Sequence, residues 1–211
     1  KNIKIGVMIN AADFILDSQL DLFKLKKTFP HCKNFNFIRI AFHNRDLKNV
    51  KKILNFFLKY NIEVILNLMQ VSDLKKISFI KKLKIINSLK IQAFYIADSF
   101  GSLKPNDIKK KNWNKEFGFH AHDNLSLAFA NAKIAIKNNF DYLDSTMLGM
   151  GRGAGNLKTE EIYKYLNKND NAGLKNIHDI NKKIFRKLKI KYKWGTNNYY
   201  KFAAKNSIHP S

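Results

Sequence analysis

Six short apolar runs alternate along this chain with stretches of helical periodicity, and no other feature constrains its fold as tightly. They are Lys4–Ile9 (KIGVMI), Phe35–Phe42 (FNFIRIAF), Glu63–Met69 (EVILNLM), Ile91–Ala97 (IQAFYIA), Glu116–His122 (EFGFHAH) and Tyr142–Met147. A strand covered on both faces reads as a near-continuous apolar run, and such strands occur in parallel sheets whose crossovers are helices. The intervening segments supply those helices. Asp46–Tyr60 places Leu47, Val50, Ile53, Leu54, Phe57 and Leu58 at helical spacing. Helices are also expected over Asp13–Lys27, Ser72–Asn87, 124–138, Thr159–Leu166 and Asn176–Ile190, with a short start at Pro105 and an irregular aromatic tail from Tyr192 to Ser211. The alternation predicts a parallel α/β protein.

Within that class the strand ends select a barrel. Each run closes on residues of ligand type, and no G-x-G-x-x-G follows the first run, which disfavours a doubly wound dinucleotide fold. A TIM (β/α)8 barrel needs eight strands and typically about 250 residues. Six strands are legible, so the chain reads as one barrel domain over 1–211 that lacks two βα units. The runs Lys4–Ile9 and Tyr142–Met147 are then open apolar edges, expected to be covered by residues N-terminal to Lys1 or by a partner chain.

The chemistry concentrates in EFGFHAHDNLSLAFA, Glu116 to Ala130. Strand side chains repeat with period two, so His120 and His122 project from one face, one pleat apart, and can take adjacent positions around one divalent metal. Asp123 or Asn124 is the expected N-cap of the following helix. The other strand ends present Asn10, His43, Asn67 or Gln70, Asp98 and Asp144, which in a barrel converge on one mouth. Asn10, Gln70 and Asp98 are read as substrate-binding and His43 as a positioning or catalytic group. Gly151 and Gly153, in the Gly-rich loop after Asp144, let the backbone approach a ligand. Imidazole and oxygen ligands together suit Mn2+ or Mg2+, with Zn2+ and Co2+ as alternatives.

The formal net charge of +23 raises the question of a nucleic-acid partner. Of the 39 basic residues 35 are lysine and 4 arginine, and they are scattered over most expected helices. Specific phosphate and base recognition favours the arginine fork, so no specific nucleic-acid site is expected. No run nears the roughly 18 apolar residues of a membrane span. The start KNIKIGVMIN lacks the pattern of a signal peptide. A single cysteine, Cys32, excludes an internal disulfide framework and suits a reducing cytoplasm.

Two segments carry a family resemblance. FHAHDNLSLAFANAKIAI resembles the His-x-His-(Asp/Asn) strand of the HMG-CoA lyase-like metal-dependent barrels, and DSTMLGMGRGAGNLKTEE, Asp144 to Glu161, resembles their Gly-rich segment ending in Gly-Asn. That superfamily includes HMG-CoA lyase, the isopropylmalate and homocitrate synthases and, most similar here, the 4-hydroxy-2-oxovalerate aldolases. The resemblance implies metal ligation by His120, His122 and Asn156, and makes the first two βα units the absent ones. Asp98 matches an Ala-Asp-(Ser/Thr)-x-Gly strand end, and Tyr199 or Tyr200 falls where the aldolases place a tyrosine acid. The family's strand-one aspartate and arginine have no counterpart in this sequence, nor does the loop cysteine of the HMG-CoA lyases. The implied activity is metal-dependent carbon–carbon lysis or formation next to a 2-oxo acid. The alternatives are a Claisen-type acyl-CoA synthase and a non-catalytic barrel fragment. A small 2-oxo acid is the expected substrate, with a homo-oligomer or partner subunit as the expected assembly.

Overall fold

The computed structural model describes residues 3–32, 34–74, 76–110, 113–206 and 208. Its strands are β1 (Gly6–Asn10), β2 (Ile15–Leu16), β3 (Gln19–Leu20), β4 (Phe37–Phe42), β5 (Glu63–Leu68), β6 (Ala93–Asp98), β7 (Glu116–Ala121) and β8 (Tyr142–Asp144). Its helices are α1 (Leu22–Thr28), α2 (Leu47–Leu58), α3 (Lys76–Asn87), α4 (Ala128–Lys137), α5 (Thr159–Leu166), α6 (Asn171–Ile180), α7 (Arg186–Tyr192) and α8 (Asn198–Lys205). Six strands form one sheet in the order β1-β4-β5-β6-β7-β8. The β1–β4, β4–β5, β5–β6 and β7–β8 ladders are parallel. The order never reverses, as it would at the switch point of a doubly wound sheet. It is the strand order of a partial (β/α)8 barrel, in agreement with the expectation from the strand ends.

The chain divides into two compact units. One comprises Lys1–Met69, Leu74–Ile96 and Trp113–Phe117, the other Gln70–Asp73, Ala97–Asn112 and Gly118–Ser211. In the first unit the strand period sorts side chains cleanly. Ile38, Ile40 and Phe42 of β4 and Val64, Leu66 and Leu68 of β5 are buried, as are Val50, Ile53, Leu54 and Phe57 of α2. The opposite face of the sheet carries a polar cluster among apolar residues. Arg39 donates to Asn67 Oδ1 at 2.7 Å, and its guanidinium lies 3.8 Å from the centroid of the Tyr95 ring.

The first expected helix, Asp13–Lys27, is not formed as such. Asp17 and Ser18 both have positive φ, 46° and 63°, which is the geometry of a two-residue hairpin turn, and β2 and β3 pair antiparallel around it. Asn49 Nδ2 donates to Ser18 O at 2.9 Å and pins that turn. A 3-10 turn, Ala11–Phe14, precedes the hairpin, and only Leu22–Thr28 is α-helical, with Asp21 accepting from Lys24 N at 2.9 Å. At Pro105 the chain makes a single 3-10 turn, Pro105–Asp107.

In the second unit, Phe119 and the α4 stripe Ala128, Ala132 and Ala135 form a small-residue core. The ring of Phe119 meets that of Phe140 edge-on at 6.2 Å. Helix α4 begins at Ala128 rather than near Asn124, because Ser126 turns at positive φ and Asp123 Oδ1 reaches forward to accept from Ala128 N at 3.1 Å. The last long helix starts earlier than Asn176, since Asp170 caps it by accepting from Gly173 N at 2.8 Å. It runs through a π-helical turn, Asn181–Phe185, into α7. The tail is helical over α8, not irregular, because Asn197 accepts from Tyr200 N at 3.0 Å and starts a new helix.

The end of β6 is held by a buried carboxylate. Asp98 is 0% exposed and accepts from Ser102 N and Leu103 N, each at 3.0 Å. Burial pushes its pKa up to about 6, and the backbone hydrogen bonds hold it down from rising further. The folded pKa lies above the ordinary value of 3.8, so between about pH 4 and 6 the folded chain binds more protons than the unfolded one. The contribution of Asp98 to stability is therefore fully present below that window and is lost as pH rises through it. At about 1.4 kcal/mol per pKa unit the loss is about 3 kcal/mol. In Asp98→Asn the amide Nδ2 cannot accept from a backbone N–H, which costs about 1–3 kcal/mol at pH 4. Urea unfolding is expected to show this variant less stable than the parent at pH 4 and the gap closing or reversing by pH 7. A pH-independent gap would remove Asp98 from the pH dependence.

Candidate metal centre

Strand β7 alternates as its sequence dictates. Phe119 is fully buried on one face, while His120 projects from the other with His122 one pleat beyond it. The two imidazoles stand edge to face with ring centroids 4.9 Å apart. In the β7–β8 ladder His120 lies opposite Asp144. The carboxylate of Asp144 thereby meets His120 Nδ1 at 2.7 Å, with both side chains 23% exposed. A carboxylate accepts, so the proton belongs on Nδ1 and the Nε2 lone pair is left for a ligand bond.

The Gly-rich loop lays Asn156 alongside His122. After β8 the chain turns through Met147–Gly149, where Leu148 has a φ of 50°, and returns antiparallel on the end of β7. His122 and Asn156 form an isolated antiparallel bridge. Asp123 N donates to Gly155 O at 2.9 Å, and Leu157 N to Ala121 O at 3.1 Å. Asn156 Nδ2 donates to Met150 O at 3.1 Å, while Asn156 Oδ1 is buried and has no hydrogen-bond partner among the described residues. Gly151 makes room for this amide: a Cβ there would come within 2.6 Å of Asn156 Nδ2. A buried carbonyl oxygen without a donor costs free energy unless something else binds it. Two imidazoles and one such oxygen can supply a divalent cation with the nitrogen and oxygen donors it takes. Among the described residues no group of three or more His, Cys, Asp and Glu side chains is arranged around one ion. The amide of Asn156 is thus the third donor on offer.

Other residues singled out by the sequence are placed as follows. In the second unit, Tyr200 lies over the Gly-rich loop, its hydroxyl 3.6 Å from where a Cβ on Gly153 would stand. Tyr199, its neighbour, is 84% exposed. Asp98 is occupied by the amides of its own loop, and Gln70 N donates to Ser99 Oγ at 3.0 Å with Gln70 at a φ of 56°. In the first unit, Asn10 Oδ1 accepts from Ala12 N at 3.2 Å as a cap, and His43 O accepts from Asp46 N at 2.9 Å at the start of a 3-10 turn. Two features were not assigned from the sequence. One is the pairing of Asp144 with His120, for which the strand-end position of Asp144 was the available signal. The other is the Arg39–Asn67–Tyr95 cluster, signalled by a lone arginine inside an apolar run.

The chain as a whole is similar to known proteins. The model of the HMGL-like family matches residues 38–186. The chain is 38% identical over 96 residues to 4-hydroxy-2-oxovalerate aldolase of Geobacillus stearothermophilus, covering 43% of this chain and 27% of that enzyme. It is 29% identical over 137 residues to the enzyme of the same name from Bacillus thuringiensis, covering 62% and 40%. The chain therefore spans well under half the length of these curated relatives. Among solved structures, the N-terminal domain of a candidate aldolase from Bacteroides vulgatus matches with a TM-score of 0.78 at 31% identity, over 99% of this chain and 71% of that one. The HMG-CoA lyase of Bacillus subtilis shares the fold, with a TM-score of 0.64 at 18% identity over 81% of this chain and 68% of that one. With its His-x-His strand and its Gly-rich loop both inside the matched region, the chain belongs to the HMGL-like family.

Proposed function

We propose that this protein is a divalent-metal-dependent lyase of the 4-hydroxy-2-oxovalerate aldolase type, making or breaking a carbon–carbon bond beside a 2-oxo acid. The observation that carries the reading is the His120–His122 pair, with Asp144 behind His120 and Asn156, whose Oδ1 is unsatisfied, bridged to His122. The curated relatives named 4-hydroxy-2-oxovalerate aldolase support it. His120, His122 and Asn156 would hold the ion, Mn2+ or Mg2+ by the mixed nitrogen and oxygen donor set. When bound, such an ion is a Lewis acid for the carboxylate and keto oxygens of a 2-oxo acid.

The chain's own residues divide the remaining work. Asp144 keeps the proton on His120 Nδ1 and fixes the ring. Gly151 and Gly153 leave the loop backbone open to a ligand, and Tyr200 above Gly153 is the candidate proton donor or acceptor for the substrate hydroxyl. These groups all belong to the second unit. We place the protein in the reducing cytoplasm, where its one cysteine, free and buried, needs no partner. Its partner is a small acid rather than a specific nucleic acid. Among the described residues no helix is long and apolar enough to cross a membrane. The edge strands β1 and β8 are proposed to be covered by further strands, from this protein or from a partner subunit.

Metal content after exhaustive dialysis against Mn2+ buffer tests the centre. His120→Ala and His122→Ala are each expected to lose the bound ion and the release of pyruvate from 4-hydroxy-2-oxopentanoate; unchanged metal in both variants would sink the reading. Asp144→Ala is expected to weaken metal affinity by about 10–100-fold, the usual effect of losing the partner of a ligating histidine. Asp144→Asn keeps an acceptor for Nδ1–H, so it should lose clearly less. Equal losses in the two would mean that Asp144 does not act by fixing the tautomer.

A further inference from the structure

A cavity of about 930 Å³ lies wholly within the second unit, bounded by the Gly-rich loop, the start of α4 and the segment from Lys189 to Asn197. Neither His120 nor His122 lines it, and Asn156 is the one proposed metal ligand that does. Its size falls in the range of about 300–1,000 Å³ usual for small-molecule sites.

Its walls are built rather than incidental. Trp194 Nε1 donates to Leu148 O at 2.9 Å, Gly195 N to Gly153 O at 2.9 Å, and Thr196 Oγ1 to Asn124 O at 2.7 Å. Three hydrogen bonds thus fasten the 194–196 segment to the Gly-rich loop and to the turn before α4. Trp194 is buried, and with Phe129 and Leu148 it makes part of the lining apolar.

Charge is the second feature. Four lysines line the cavity, Lys158, Lys164, Lys189 and Lys193, against two carboxylates, Asp123 and Glu161. Glu161 is taken up by Lys158 at 2.6 Å, and Asp123 Oδ1 by the backbone of Ala128 at 3.1 Å. Among the described residues no carboxylate lies within 4.0 Å of the ammonium groups of Lys164, Lys189 or Lys193. Counted by formal charge, four lysines against two carboxylates leave an excess of two; a monoanion would offset half of it, whereas a phosphate monoester carries close to two negative charges at neutral pH. Lysine serves phosphate as a mobile point charge, so a convergent set suits it without a fixed fork geometry.

We propose that this cavity binds an organic phosphate, its phosphate on Lys164, Lys189 and Lys193 and its apolar or flat body against Trp194, Phe129 and Leu148. The proposal does not rest on the metal reading, and its test reads binding rather than activity. Isothermal titration of the intact protein with adenosine 5′-monophosphate is expected to saturate at one site per chain. Adenosine without the phosphate should bind at least ten-fold more weakly, and citrate likewise. Lys189→Met combined with Lys193→Met should weaken the monophosphate at least ten-fold. Lys48→Met combined with Lys52→Met, on α2 of the other unit, should leave it unchanged and so control for nonspecific attraction to a basic chain. His120→Ala should also leave it unchanged, which separates this site from any anion held by the metal centre. Absence of saturation, equal binding of adenosine or citrate, an equal loss in the α2 control, or loss in His120→Ala would each overturn the proposal.

Discussion

The antiparallel bridge between His122 and Asn156 is the constraint on which the candidate centre depends. Two backbone hydrogen bonds, Asp123 N to Gly155 O and Leu157 N to Ala121 O, lay the returning Gly-rich loop along the end of β7. Without them a histidine on a strand and an amide 34 positions later in the chain would have no fixed relation. The loop can make this return only because it crosses itself closely. Asn156 N donates to Gly149 O at 3.0 Å, and a Cβ on Gly155, whose φ is 83°, would stand 2.4 Å from that same oxygen. Glycine at 155 is therefore a requirement of the crossing, and the crossing is what presents Asn156.

Two aspartates at strand ends show how environment assigns different work to the same side chain. Asp98 is fully buried and its oxygens are spent on main-chain amides of the loop that follows β6. Asp144 is partly exposed and its carboxylate faces an imidazole across the β7–β8 ladder. The first shapes a loop; the second sets the tautomer of a histidine whose other nitrogen is left for a ligand. The same contrast separates the lysines. Most of the positive charge is spread over helix surfaces, where solvent and salt screen it. A few lysines converge on a cavity whose walls are hydrogen-bonded in place, and convergence is what distinguishes a binding surface from composition alone.

Much of the fold could be read from the chain because its signals are local. The apolar runs became the six sheet strands, within two or three residues at each end, since parallel strands covered by helices read as short apolar runs. The α2 stripe of Val50, Ile53, Leu54 and Phe57 is buried as its spacing dictates. The misread segments are those in which short polar side chains redirected the backbone. Asp17 and Ser18 at positive φ replaced helix by hairpin, Asp123 delayed α4, and Asn197 started α8 in a tail without obvious periodicity. A cap or turn hangs on one or two hydrogen bonds, which periodicity does not encode.

The candidate centre divides along the same line. The sequence by itself determined that His120 and His122 share a face, because the period of a strand is two whatever surrounds it. It also determined that a Gly-rich loop ending in Asn156 follows a strand. Only the tertiary structure decided that Asp144 pairs with His120, that Asn156 Oδ1 is left buried without a donor, and that Asp98 is consumed by its own loop. Which acceptor meets which donor depends on ladder register and loop path. Both are set by contacts between residues far apart in the chain, so no local pattern carries them.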